Sequence, residues 1–405
     1  MAAETRRFDQ RHEVTAEQGA SRMNGKELSA LIAAIHDSEP VSGLSHTLYK
    51  YPARFSPVFA KEVIRSFTEI GDLVLDPFVG GGTALVEAIA SGRDAVGVDV
   101  NELAIFVARV KTTVFTARQL RGAGSVIDGL CRLKLSGPAK SRSGSEYALN
   151  IDDTRTWRIR DFVGLCLSEI GDLSSGPEEG LVRCVLLRTA QWALDCRKAM
   201  PTLEEFRERL QVNWQDAVLG ATEMRENMIR ARAGHRRPRC LCLLRSAVGV
   251  ERDERIRGFG RPSLIITSPP YPGVHVLYHR WQINGRRESA APYWIANLQD
   301  GRGASYYTFA DRNRKEIDNY LSVALEAFSS VRRLVERGTP LVQLVAFSDP
   351  KTQLGPYLEM LSSAGWEEMR FDVDRIWRSV PGRRWYTSFV ASAASREAVL
   401  FHRAR

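Results

Sequence analysis

Short, nearly uninterrupted apolar runs punctuate this chain at residues 73–75, 95–98, 264–266, 341–347 and 397–402. Runs of this length without strict alternation are the pattern of strands covered on both faces, as in a parallel sheet. Between them apolar residues recur at helical spacing. Phe59, Val63, Ile64 and Phe67 make one stripe; Ala84, Leu85, Ala88 and Ile89 make another, in a helix expected over 83–91 with Gly92 near its end. Further helices are expected over 27–35, from a cap at Asn101 to about 110, and over 156–170, 179–196, 203–232, 315–335 and 354–364. Residues 1 to about 25 read as a mobile polar tail, and 136–145 (S-G-P-A-K-S-R-S-G-S) as linker. The stretch 45–57 (S-H-T-L-Y-K-Y-P-A-R-F-S-P) is broken by Pro52 and Pro57 and reads as a loop. Residues 272–312, rich in aromatic and basic side chains, read as a long functional loop system.

Length changes the picture little: 405 residues hold one large domain with an insertion, or two domains. No apolar run approaches the roughly 20 residues that span a bilayer. The opening M-A-A-E-T-R-R-F-D-Q lacks an apolar signal core, so a cytoplasmic protein is expected. Six cysteines offer no paired metal-ligand spacing beyond Cys240-x-Cys242, so neither zinc nor a disulfide framework is expected. His275 and His279 lack such spacing too and read as loop residues. Charge adds more. The net charge of +9 favours an anionic partner, nucleic acid first. A basic run containing Arg236, Arg237 and Arg239 precedes the strand at 264–266, and is open to reading as a solvated loop or as a phosphate-contacting segment.

Two stretches carry candidate chemistry. At 264–271 the chain reads L-I-I-T-S-P-P-Y. Pro269 and Pro270 lack N–H groups and fix their own φ, so the chain leaves its strand stiff and extended. Such loops are common at strand ends. This one can also hold a planar, amine-bearing ring, with Ser268 Oγ and the Pro269 carbonyl as acceptors, Pro270 fixing the geometry and Tyr271 stacking on the ring. At 73–83 the chain reads L-V-L-D-P-F-V-G-G-G-T, with Asp76 at a strand end, a turn at Gly80–Gly82, and Asp99 closing the next strand. A dinucleotide fingerprint would require a third glycine where Leu85 stands, and the G-K-[ST] of a phosphate loop is missing. An acid at Asp99 can accept from both hydroxyls of a ribose, and N–H groups at the helix start can hold a carboxylate. Adenosine with an amino-acid tail is S-adenosylmethionine; a nucleotide is the alternative. Both stretches end strands of one doubly wound sheet, where such sheets bind ligands. A base delivered there must leave its duplex. C5-cytosine methylation would need a thiolate, and no cysteine lies near 268–271.

In these two places the chain resembles the exocyclic-amino DNA methyltransferases, the N4-cytosine and N6-adenine group. D-P-F-V-G-G-G-T at 76–83 looks like the family's cofactor motif, and T-S-P-P-Y at 267–271 like its catalytic motif in the form usual for N4-cytosine members. G-V-D-V-N at 97–101 resembles the ribose-binding strand end, and K-Y-P-A-R-F-S-P at 50–57 the segment closing over the cofactor's methionine end. P-G-R-R-W at 381–385 and E-A-V-L-F-H at 397–402 are similar to late family elements.

The resemblance implies a mostly parallel, Rossmann-like α/β sheet with a mainly helical insertion. It divides the chain into a tail and short helix (1–40), a cofactor half (41–115), an insertion (116–238) that is either target-recognising or a packing subdomain, and a catalytic half (239–405). It implies S-adenosylmethionine held by Tyr51, Pro52, Ala53, Phe55, Asp76, Pro77, Phe78, Gly80, Gly82, Thr83, Asp99 and Asn101. Ser268, Pro269, Pro270 and Tyr271 would then carry the chemistry on N4 of a cytosine in double-stranded DNA. Arg236, Arg237, Arg239, Arg378, Arg383 and Arg384 would contact phosphates, with Trp377 and Trp385 as packing neighbours. A cognate restriction endonuclease or other defence protein is an allowed partner. N6-adenine and RNA methylation stay open, as does a non-catalytic DNA-binding role, since the stretch 242–248 lacks the acid many relatives place near the adenine ring.

Overall fold

The computed structural model describes residues 25–51, 56–135, 147, 150–151, 153–171, 176–232, 234–272, 279–283, 287–301, 307, 309, 316–371, 375–379 and 396–405. In the first half of the chain the elements are α1 (Gly25–Ile35), α2 (Pro57–Phe67), β1 (Leu73–Asp76), α3 (Thr83–Ala90), β2 (Asp94–Asp99), α4 (Glu102–Thr112), α5 (Ala117–Arg132), α6 (Trp157–Gly171), α7 (Pro177–Leu194) and α8 (Leu203–Ala231). The second half holds β3 (Cys240–Leu244), a short α9 (Glu254–Arg257), β4 (Leu264–Thr267), β5 (Trp281–Ile283), β6 (Arg287–Ser289), α10 (Ala291–Ala296), α11 (Glu316–Arg332), β7 (Pro340–Ala346), α12 (Pro350–Ser363), β8 (Trp366–Glu368), β9 (Ile376–Ser379) and β10 (Arg396–Ala404).

The main sheet runs β3-β2-β1-β4-β7-β10-β8, with β9 also on β10. From β3 to β7 all neighbours are parallel; β10 runs antiparallel to β7, β8 and β9. The apolar runs are uninterrupted because both faces are covered. Leu73, Leu75, Val96, Val98, Ile265, Leu341 and Val345 pack with α11 and α12, while Val74, Ala95, Leu264, Ile266, Val342 and Leu344 pack with α1, α2 and α3. The chain winds outward from β1 to β3, then returns to place β4 on the other side of β1. The crevice beyond the C-terminal ends of β1 and β4 is therefore the switch point at which such sheets take ligands.

The expected helices and strands are present among the described residues, with ends moved by a few positions. The helices α5, α9 and α10, the strands β8 and β9 and the hairpin β5–β6 lay outside the sequence reading. The helix α5 starts at a capping box, Thr116 with Gln119, inside a stretch with few apolar residues in its first turns. The strands β8 and β9 and the hairpin β5–β6 are only three or four residues long, too short to show a period. Residues 1–24 of the expected tail, the whole linker (136–145) and residues 52–55 of the loop at 45–57 lie outside the described residues.

The helices α5–α8 share one hydrophobic core with Leu103, Val107 and Val110 of α4, Trp281 and Ile283 of β5, and Tyr293 and Ile295 of α10. Gly220 of α8 sits so close to the Leu44 carbonyl that any Cβ would overlap it, and Glu223 accepts the Leu44 N–H at 2.8 Å. The insertion thus grips the segment leading to Tyr51. Among the described residues no helix is long and apolar enough to cross a membrane, and no cluster of three His, Cys, Asp or Glu side chains could hold a metal.

Candidate active site

The strand β1 ends where Pro77 removes the next donor. The Asp76 side chain there is buried, accepting from Thr267 Oγ1 at 2.6 Å and Phe78 N–H at 3.1 Å. Asp99 ends β2 and accepts from Gly80 N–H and Asn101 N–H, both at 2.9 Å. No cation pairs with either carboxylate among the described residues. Burial, opposed by these hydrogen bonds and, for Asp99, by the Val100 N–H, pushes the Asp76 pKa up to about 7, with the neighbouring Asp99 charge adding to it, and that of Asp99 up to about 6. Two desolvated, uncompensated carboxylates side by side favour a ligand that brings positive charge.

The glycine turn joins them. Gly80 and Gly82 adopt φ of 45° and 76°, the left-handed region. Gly82 also caps α3 and lies so near Ala108 of α4 that a Cβ would meet it at 3.0 Å. The Tyr51 side chain lies over Gly80 and Gly81, covering the turn. Thr83 is buried in the first turn of α3. Phe78 turns its ring into the core, 6.0 Å from Phe328 and 5.5 Å from Phe309, so it offers the site its backbone rather than its ring. Asn101 caps α4, accepting from Leu103 and Ala104 N–H and from the Tyr293 hydroxyl at 3.1 Å. Its side chain is thereby committed to the fold. Tyr293, Tyr307 and Asp300 continue the chain of hydroxyl contacts and wall the site beyond β2. His279 stacks beside Tyr307, with centroids 4.1 Å apart, and burial lowers its pKa to about 4, so its ring is neutral.

Across the switch point stands the loop after β4. Ser268 Oγ lies 3.0 Å from the Leu344 carbonyl of β7 and 3.0 Å from Tyr271 Oη. Tyr271 donates to Glu397 Oε1 at 2.6 Å, and Arg378 Nε donates to Glu397 Oε2 at 2.9 Å. Tyr320 of α11 donates to the Pro270 carbonyl at 2.6 Å. The Pro269 carbonyl has no hydrogen bond to the described residues, which leaves it able to face a ligand. Thr267 lies in the T-S-P-P-Y motif but was given no role of its own, and Tyr293, Tyr320 and Glu397 were not legible as site residues: a lone Tyr on a helix or a Glu opening a strand carries no local signal.

Three of the residues expected to contact phosphate pair with carboxylates in the structure. Arg236 and Arg239 hold the buried Asp94 at 2.6 and 2.9 Å, at the N-terminal end of β2 and therefore at the edge of the sheet away from Asp76 and Ser268. Arg378 is buried in its pair with Glu397 and is not free for phosphate. Arg237 is exposed beside the first two. Pro52, Ala53, Phe55, Arg383 and Arg384 lie outside the described residues, as do His275 and Trp385. Trp377 packs against the core and under Arg396, as expected of a packing residue.

Residues 5–108 match the N6_N4_Mtase family, described as DNA methylase. The type II methyltransferase M.MvaI of Kocuria varians is 35% identical over 88 residues, 21% of this chain and 19% of that protein. The type II methyltransferase M.MjaII of Methanocaldococcus jannaschii is 28% identical over 76 residues, 19% of this chain and 14% of that protein. The matches thus span less than a fifth of either relative. Among solved structures, the rRNA methyltransferase aviRa of Streptomyces viridochromogenes aligns over 96% of both chains with a TM-score of 0.35 and 11% identity.

Proposed function

We propose that this chain, whose residues 5–108 match the DNA methylase family, transfers a methyl group from S-adenosylmethionine to the exocyclic N4 of a flipped-out cytosine in double-stranded DNA. The observation that carries this reading is the Thr267–Asp76 hydrogen bond. It sets two uncompensated carboxylates next to a loop of amine acceptors at one switch point.

The site fits the cofactor. Asp99 suits the ribose hydroxyls, the N–H groups of the glycine turn suit the carboxylate tail, and the negative character of Asp76 and Asp99 suits a cationic ligand. When bound, the cofactor supplies an electrophilic methyl group. The protein's part is to orient the base. A nucleobase amine is a weak nucleophile because its lone pair is delocalised into the ring. Ser268 Oγ and the Pro269 carbonyl accept its two N–H bonds and favour a tetrahedral nitrogen, while Tyr320 holds the loop in place through Pro270. A hydroxyl, rather than a carboxylate or amide, at position 268 supports cytosine over adenine.

In this reading 41–115 and 239–405 form the catalytic body. The insertion 116–238 acts as a brace, because its core is continuous with α4, β5 and α10. A cognate restriction endonuclease or other defence protein belongs to the same proposal as a partner. Incubation with duplex DNA and methyl-labelled cofactor, followed by nucleoside analysis, tests it. N4-methylcytosine supports the reading; N6-methyladenine moves it to the other base; label on C5 or on no base overturns it.

A further inference from the structure

We propose that Glu397, held by Arg378, is a positioning residue that sets the direction of the hydroxyl chain Tyr271–Ser268 and so keeps the Ser268 lone pairs for the incoming amine. This rests on the methyltransferase reading above. Glu397 stands at the start of β10, which runs antiparallel to β7, so it reaches the same edge of the sheet as the end of β4. Its two carboxylate oxygens are used separately: Oε1 takes the Tyr271 phenol at 2.6 Å and Oε2 takes Arg378 Nε at 2.9 Å. All three side chains are buried.

A carboxylate paired with a guanidinium accepts and does not donate. Tyr271 is therefore fixed as the donor to Glu397, and its oxygen can only accept from Ser268. The Leu344 carbonyl is likewise an acceptor only. The single Ser268 proton has two acceptors, each at 3.0 Å, and among the described residues no donor other than the Tyr271 hydroxyl, itself turned to Glu397, approaches its lone pairs. A target N–H meets an oxygen already polarised to receive it. With an amide at 397 the NH2 group could donate to the phenol oxygen. The phenol would then be released to donate to Ser268 and occupy a lone pair that the substrate needs.

The test is a double-mutant cycle with Glu397→Gln and Tyr271→Phe on the full chain. The expected result is a fall in kcat of roughly tenfold or more for Glu397→Gln, with the cofactor Kd unchanged, and no further effect of Glu397→Gln once Tyr271 is Phe. A full Glu397→Gln effect in the Tyr271→Phe background, or a Kd that worsens in step with kcat, overturns the proposal in favour of a merely structural pair. A second readout needs no turnover: 3-fluorotyrosine at 271 should shift its 19F resonance in Glu397→Gln, and an unmoved resonance also overturns it. A wild-type protein that methylates no base defeats the methyltransferase reading, while the resonance still reports whether Glu397 sets the Tyr271 hydroxyl.

Discussion

Thr267 Oγ1 donates to Asp76 Oδ1 at 2.6 Å, joining side chains 191 residues apart at the ends of β4 and β1. One hydroxyl couples the candidate cofactor side of the crevice to the candidate chemical side. Thr267→Val keeps the shape and removes the donor. Asp76 then loses a bond that favours its charged form, so its already raised pKa rises further. The expected outcome is a cofactor affinity weaker by about tenfold at pH 7, for a lost hydrogen bond to a charged group of ~1.5 kcal/mol. The deficit should shrink at pH 8.5, where the carboxylate ionises again. Calorimetric titration at both pH values checks this.

Asp76 and Asp99, with pKa values pushed up by burial to about 7 and about 6, predict opposite pH trends for stability and binding. Between about pH 4 and 7 the folded protein keeps protons that the unfolded chain has already released. Their contribution to stability is therefore greatest at low pH and is lost as pH rises through the folded values. A cationic ligand needs the ionised pair, so its affinity should rise through the same window and level off above it. Comparing S-adenosylmethionine with its uncharged thioether product from pH 5.5 to 8.5 isolates the charge. The sulfonium should show the steeper dependence, and equal slopes would argue against these carboxylates sensing it.

The pair Arg236 and Arg239 predicts a stability effect instead of a nucleic-acid effect. Burial raises the Asp94 pKa, but hydrogen bonds from Arg236 and Arg239 more than reverse that and hold it below the usual carboxylate range. Removing both guanidiniums by Arg236→Ala with Arg239→Ala strands a buried carboxylate. The cost should be on the order of 2 kcal/mol, less than for a fully buried pair because both arginines are about half exposed. Urea unfolding at pH 7 measures it, and the salt dependence of DNA binding should stay as in the wild type.

These arginines also mark where sequence reasoning ran out. The frame was legible because its signals are local: apolar runs for strands buried on both faces, prolines at 77, 269 and 270 that end pairing, and glycines at 80 and 82 that take positive φ. Partner choice was not. Whether Arg378 faces a phosphate or Glu397, or whether the Tyr293 hydroxyl closes on the Asn101 side chain, depends on which element lies beside it in the fold, 19 residues away in the first case and 192 in the second. Tyr320 and Glu397 entered the site through the same long-range neighbourhoods.

Gly220 tests the claim that the insertion braces the cofactor side. Its place in α8 lets the Leu44 carbonyl approach where no Cβ fits, and Leu44 holds the left-handed φ of 44° while Glu223 takes its N–H. Seven residues on, Tyr51 lies over the glycine turn, and midway His46 contacts the buried Glu87 of α3 at 2.6 Å. Gly220→Ala must push the 43–46 turn off the helix. The expected loss is about 2–3 kcal/mol, the range for forcing extra volume into a packed contact, together with weaker cofactor binding as Tyr51 shifts. Gly122→Ala in α5 is the control: its position is exposed with nothing within 4 Å, so the substitution should stabilise by about 0.5–1 kcal/mol through helix propensity alone. Chemical denaturation and cofactor titration of both variants decide the matter. If Gly220→Ala binds cofactor like the wild type while losing stability, the insertion supports the fold without shaping the site.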